Sequence, residues 1–304
     1  MTASHIPYDR SATGLLHPGR ATDFFPLGGN ASDAGLCAEM ARVAYVKFEE
    51  GGAARRSFES VYLPRVGFRL VGDPFTKGGT QGFVADGETR DGGPVRVVAF
   101  RGTEPDDWRD ILTDVDFRET AWDGGWVHRG FARAFSRVSA RVLAAIDDAG
   151  PARRVFVTGH SLGAALATLT ASLRPGVLLF TFGSPRVGDT GFARLVGPRH
   201  ARFVDHLDAV TRVPPAGALD YTHAGAGYFI EADGGVSGPL ADDEIVRRQR
   251  LAGCAELSVA DLFDRLRRGD VALRDLTDHA PINYSSAVLG IRSPGTSCGP
   301  QTPV

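Results

Sequence analysis

Residues 157–166 read VTGHSLGAAL, with a serine set between two glycines in the spacing G-x-S-x-G. In that pattern a strand runs into a sharp turn, presents the serine, and continues as a helix. Alone the five letters are weak, so the flanking residues must decide. Val155, Phe156 and Val157 form an apolar strand ending at Thr158, Gly159 and Gly163 permit a tight crossing, and Ala164 to Ala167 continue as good helix formers. Ser161 therefore sits at a helix N-terminus, where unpaired backbone N–H groups and the helix dipole favour developing negative charge. A serine that merely caps an ordinary helix would not need the whole strand, turn and helix frame.

Outward from this turn, strands alternate with helices. Val95 to Phe100 is β-branched and apolar throughout, the pattern of a strand covered on both faces. Phe131, Phe135, Val138, Val142 and Ile146 recur every three or four residues, predicting one long amphipathic helix closed by Gly150 and Pro151. Strands follow at 154–158, Val177–Phe182 and 201–204, with helices from Ser161 to about Leu173 and near 189–196. Earlier, Leu36, Met40, Val43 and Ala44 predict a helix with Asp33 as its N-cap, and short strand-like runs cover 68–72 and 82–85. The alternation implies an α/β fold, a mainly parallel central sheet with helices on both faces. Residues 1–31, rich in Gly, Pro and small polar residues, read as an irregular arm before a single domain spanning 32–304.

Composition narrows the function. The chain is 304 residues long, 43% hydrophobic and 23% charged, and its apolar runs are too short to span a bilayer. The formal net charge is −2, and its basic residues are scattered, with Lys47 and Lys77 the only lysines, which gives no footprint for a nucleic acid. The start MTASHIPYDRSATGLLHPGR lacks the basic and apolar segments of a signal peptide, so cytoplasmic residence is the default expectation. Cys37, Cys254 and Cys298 are odd in number and far apart, which suits isolated thiols better than disulfides or a zinc site. With no H-E-x-x-H and no EF-hand pattern, neither a metal nor a cofactor is expected.

A serine hydroxyl is a poor nucleophile until a positioned base takes its proton, so a histidine and a carboxylate are needed. In a parallel sheet of this kind the expected order is Ser, then Asp or Glu, then His. His200, His206, His223 and His279 lie beyond Ser161. The first two flank a strand and leave no room for an intervening acid, while spacing alone leaves His223 and His279 both open. Asp205 and Asp208 are the carboxylates that follow the strand at 201–204, and Asp208 falls in a loop at the carboxyl edge, where such sheets place chemistry.

The strings VVAFRGTEPDDW, VHRGFARAF, VFVTGHSLGAALATL, LLFTFGSPRVGD, DAVTRVPP and DHAPINY occur in one order along the chain. Together they resemble the class 3 lipases, the filamentous-fungal type with plant and bacterial relatives. The likeness is specific over about 95–223 and looser over about 33–290. It implies an α/β-hydrolase fold, with Ser161 as nucleophile, Asp208 as the triad acid and His279 as the base. It also implies that the oxyanion is held by two backbone amides, that of Leu162 and that of Thr103 in the FRGT segment.

Between Thr103 and residue 120, Trp108, Ile111, Leu112 and Val115 fall at helical spacing beside an acidic face, as a lid over 104–120 requires. Aligning Trp108 with the family's usual lid tryptophan displaces the aspartate that follows, whereas aligning ILTD at 111–114 places isoleucine there. A fixed surface helix is the other reading of this segment. Residues 233–278 read as an insertion carrying a charged, solvated helix pair.

The expected function is hydrolysis of acylglycerol or other lipid esters, at a lipid–water interface where the substrate demands it. Two readings compete with it. One is a phospholipase A1 or galactolipase that uses the same residues. The other is a non-catalytic α/β-hydrolase module that binds a partner through the lid region and the insertion.

Overall fold

The computed structural model of the chain describes residues 6–16, 18, 31–48, 51–102, 117–214, 220–252 and 277–293. Along them run β1 (Arg69–Leu70), β2 (Phe75–Lys77), β3 (Thr80–Glu88), β4 (Pro94–Phe100), β5 (Glu119–Trp122), β6 (Gly125–His128) and β7 (Arg154–His160). They are followed by β8 (Leu178–Phe182), β9 (Gly188–Asp189), β10 (His200–Asp205), β11 (Tyr221–Thr222), β12 (Ala226–Ile230) and β13 (Val236–Leu240). Among the described residues the main sheet has the order β1-β3-β4-β7-β8-β10-β12-β13, with β2 paired to β3. Its centre, β4 to β12, is parallel, and β1, β2, β3 and β13 join antiparallel at its two sides. A small antiparallel sheet, β11-β9-β6-β5, stands apart from it.

Strand alternation divides the core into two layers. Val95, Val97 and Ala99 of β4 pack with Phe156 and the helix Asp33–Val43 on one face. Val98 and Phe100 pack with Val157, Phe135, Val142 and Leu166 on the other. Burial on both faces explains why β4 and β7 read as continuous apolar runs. The five parallel strands share one direction, so their carboxyl ends gather at one edge. The turns leaving β4, β7, β8 and β10 open there, and they position the site.

Several local expectations change. The single helix expected from Phe131 onward is two, Arg129–Ser136 and Ser139–Asp147. Ser136 turns its hydroxyl onto the Arg133 carbonyl at 2.8 Å, and Val138 leaves helical geometry at φ −123° and ψ −7°. A serine that satisfies backbone with its own side chain, next to a β-branched residue, is a natural place to break. The helix at 33 is capped by Ser32, whose hydroxyl accepts the Gly35 amide at 3.1 Å, and Asp33 is its first residue.

The arm contains the helical turn Ala12–Leu16, and Ile6 bridges to Arg292. Within 233–278 the described part begins with β13, paired to β12, before the charged helix Asp242–Leu251. The expected second helix of that pair, Cys254 and Cys298 lie outside the described residues, while Cys37 is a buried free thiol. No helix among the described residues is long and apolar enough to cross a membrane.

Candidate active site

Ser161 closes β7 and caps the helix Leu162–Leu173 at φ 59° and ψ −127°, a conformation that costs a non-glycine residue ~1–3 kcal/mol. The two glycines make the turn possible. A Cβ at Gly159 would lie 2.3 Å from the Gly163 carbonyl carbon, and one at Gly163 would lie 2.4 Å from the Phe100 carbonyl oxygen. Strand and helix therefore cross at backbone contact. The Ser161 amide donates to Phe182 O on β8 at 3.0 Å, and the Ala164 and Ala165 amides return to the Ser161 carbonyl at 3.0 and 3.3 Å. Half-buried Leu162 precedes them at the first helical position, where the helix offers the N–H no carbonyl four residues back.

Asp208 lies in the turn after β10 and is wholly buried, as is His279. Asp208 Oδ1 accepts the Val210 amide at 2.9 Å and so caps the 3-10 turn Ala209–Arg212. Its Oδ2 meets His279 Nδ1 at 2.7 Å and accepts the Tyr284 hydroxyl at 2.5 Å. A carboxylate at Nδ1 fixes the proton there and leaves Nε2 as the basic nitrogen. His279 sits just before the helix Pro281–Val288, which also supplies Tyr284.

Two neighbours of Ser161 in the fold touch this pair. Gly183 follows Phe182, and a Cβ there would stand 2.8 Å from His279 Cε1 and 2.9 Å from Asp208 Oδ2. His160 lies against His279 with ring centroids 4.3 Å apart and the planes tilted by 44°, and its Nε2 donates to the His279 carbonyl at 2.8 Å. That assigns Nδ1 of His160 as an acceptor, and the Tyr45 hydroxyl donates to it at 2.8 Å. Burial, then the neighbouring His279, holds the His160 imidazole well below its ordinary range, so it stays neutral. Tyr45 also packs on the turn after β4, where a Cβ at Gly102 would fall 2.0 Å from its hydroxyl oxygen.

The rival residues have other partners. The Asp205 carboxylate pairs with Arg292 Nη1 at 3.1 Å, and burial pushes its pKa well up. His223 donates from Nε2 to the Thr211 carbonyl at 2.7 Å, with its pKa driven down first by burial and then by the Arg202 charge. Thr103 and the lid candidates Trp108, Ile111, Leu112 and Val115 lie outside the described residues. The last four residues of the expected lid, 117–120, are described, and Glu119 there starts β5. Among the described residues no group of three or more His, Cys, Asp or Glu side chains could hold a metal ion.

Sequence reasoning passed over Gly183, His160, Tyr45 and the contact of Tyr284 with Asp208. A signal existed for Tyr284 alone, as the tyrosine of DHAPINY.

Residues 97–218 match the family model described as Lipase (class 3). The secreted mono- and diacylglycerol lipase 1 of Fusarium solani is 35% identical over 184 residues, 56% of this chain and 52% of that protein. The lipase of Rhizomucor miehei is 36% identical over 149 residues, 44% of this chain and 41% of that protein. The solved structure of the Rhizomucor miehei triacylglyceride lipase superposes with a TM-score of 0.56 at 26% identity, covering 75% of this chain and 89% of that one. The chain thus spans about half the length of the curated relatives it matches. The Fusarium relative is named as secreted, which overturns the cytoplasmic default. The fold is that of the α/β-hydrolases, and the segment 97–218, which carries both the Ser161 elbow and Asp208, belongs to the class 3 lipase family.

Proposed function

We propose that this chain is a serine carboxylic ester hydrolase of lipase type, acting on acylglycerols or related lipid esters. The observation that carries the reading is the buried 2.7 Å contact of Asp208 with His279, held against the residues on either side of the Ser161 elbow. Ser161 Oγ attacks the ester carbonyl while His279 Nε2 takes its proton, and Asp208 stabilises the imidazolium. The amides of Leu162 and Thr103 hold the oxyanion, an arrangement in which each donor contributes on the order of 3 kcal/mol to the transition state. His279 then protonates the departing alcohol, and water, deprotonated by the same histidine, releases the acyl group from Ser161. Residues 32–304 form the catalytic domain in this reading, with 104–120 as its lid.

The names of the relatives favour mono-, di- and triacylglycerols as the first substrates to assay. Wild type should hydrolyse p-nitrophenyl butyrate and label with a fluorophosphonate, and Ser161→Ala should do neither while melting like wild type. Turnover retained by the folded alanine variant would rule the mechanism out. A rate that jumps above the solubility limit of the ester would support the lid.

A further inference from the structure

The contact between Asp208 and His279 joins loops 71 residues apart in sequence, and one side chain outside the proposed chemistry bridges the same two loops. Asp278 immediately precedes His279. Its Oδ2 accepts, at 3.0 Å, the amide of Leu207, which immediately precedes Asp208. The acid and the base are thus tied through their neighbours as well as directly. His206 Nδ1 lies 3.6 Å from the same oxygen.

The other oxygen of Asp278 faces the N-terminal arm. Oδ1 accepts the Tyr8 hydroxyl, and Thr277 Oγ1 lies 3.0 Å from that hydroxyl oxygen. The arm is itself held firmly. Buried Asn283 donates to Asp9 O and Thr277 O, both at 2.9 Å, and accepts the Asp9 amide at 2.8 Å. The Ile6 amide donates to Ile291 O at 2.8 Å, and the Ser293 amide returns to Ile6 O at 2.8 Å. Arg292 lies 4.4 Å over the Tyr8 ring while it pairs with Asp205 at 3.1 Å. Burial opposes ionisation of Asp278, but the nearby His206 ring and hydrogen bonds from Tyr8 and the Leu207 amide outweigh it and hold the carboxyl below its ordinary value.

We propose that Asp278, anchored on Tyr8 of the N-terminal arm, is a positioning residue that locks the Asp208 and His279 loops at the spacing their contact requires. The inference rests on the proposed roles of Asp208 and His279. Tyr284 ties Asp208 from the helix side, and Asp278 ties it from the loop side. Removing the second tie lets the two loops slide. Misplacing a catalytic group by about 1 Å costs on the order of a hundredfold in rate.

The test is steady-state hydrolysis of p-nitrophenyl butyrate by the full chain, with kcat expressed per site titrated by a fluorophosphonate. Titration removes the effect of any unfolded fraction. Asp278→Ala should lower kcat ~10- to 100-fold with KM within about twofold, because loop spacing acts on the chemical step rather than on substrate binding. Asp278→Asn keeps an oxygen for the Leu207 amide and should recover most of the loss. Tyr8→Phe, which removes the anchor alone, should fall between wild type and Asp278→Ala, and it serves as the deciding variant if Asp278→Ala does not fold.

A second readout needs no activity. The low-field proton resonance of the His279–Asp208 hydrogen bond, identified by its loss in His279→Gln, should shift or broaden in Asp278→Ala and return in Asp278→Asn. Wild-type kcat per site together with an unmoved resonance in Asp278→Ala, or in Tyr8→Phe should the former not fold, would overturn the proposal. So would failure of Asp278→Asn to recover either readout. If wild type hydrolyses no ester, the hydrolase reading fails and the resonance alone decides the brace.

Discussion

Glycine at 183 is required twice, by its backbone and by its neighbours. Its φ of 59° is strained for any L side chain, and an added Cβ would press on His279 and on Asp208 Oδ2 at once. Neither neighbour can yield without lengthening their 2.7 Å contact. Gly183→Ala should therefore cut kcat on p-nitrophenyl butyrate by about a hundredfold, with a stability loss of ~1–3 kcal/mol in a denaturant melt. Wild-type turnover in that variant would mean that the imidazole position does not matter to the rate. Gly183 could not be read from the sequence, because what makes it special arrives from two distant loops. Ser161 could be read, because its strand, turn and helix are contiguous. Asp208 as acid and His279 as base are what the family resemblance implies. Spacing alone left His223 in contention, and only the fold shows its Nε2 turned to the Thr211 carbonyl.

At the level of elements, legibility followed burial. β4 and β7 carry apolar residues on both faces, so their sequences announce strands without help from tertiary context. β13, Val236-Ser-Gly-Pro-Leu240, carries loop letters, and Pro239 is tolerated because β13 is the edge strand after β12 in the described sheet. The helix Asp33–Val43 shows a different limit, since its pattern predicts a helix but hides a buried ion pair. Arg42 Nε and Nη2 grip Glu39 Oε1 and Oε2 at 2.7 and 2.9 Å, and Glu39 Oε1 also accepts the Ser285 hydroxyl. That bond docks the helix on Pro281–Val288, which begins two residues after His279. Glu39→Ala would take from buried Arg42 the carboxylate that it grips, and breaking one side of such a pair typically costs ~3–5 kcal/mol. Urea melts should show a loss of that order. A change within ~0.5 kcal/mol would mean that other groups neutralise Arg42. Replacing both residues with apolar ones of similar volume should recover most of the stability, because the desolvation penalty goes with the charge.

Across the whole molecule, the buried histidines set how the fold meets acid. His160, His200 and His223 are all pushed below their ordinary range, with burial the leading cause in each. His200 is held at about 3 against 6.5 for a free imidazole, and its Nε2 lies 2.7 Å from Thr181 Oγ1 between adjacent strands. A histidine depressed in the folded state leaves full stability in place above the unfolded value of 6.5. Below that value the unfolded chain binds the proton first, so stability falls steadily until the folded value near 3 is reached. Between pH 6.5 and pH 5 His200 alone should remove ~2 kcal/mol. Asp205 acts in the opposite sense, since burial raises its pKa and the folded state takes its proton before the unfolded chain does. Among the described residues Asp33 and Glu119 are raised as Asp205 is, while Asp86 and Asp278 are lowered and act with the three depressed histidines, which leaves the balance toward acid lability. Chemical denaturation at pH 7 and pH 5 should therefore show a marked loss for wild type. His200→Gln keeps a polar group toward Thr181 and has no proton to gain, so it should lose ~2 kcal/mol less over the same interval. An identical loss in both proteins would show that His200 titrates as it does in the unfolded chain, and that the strands around it open to water before the fold is lost.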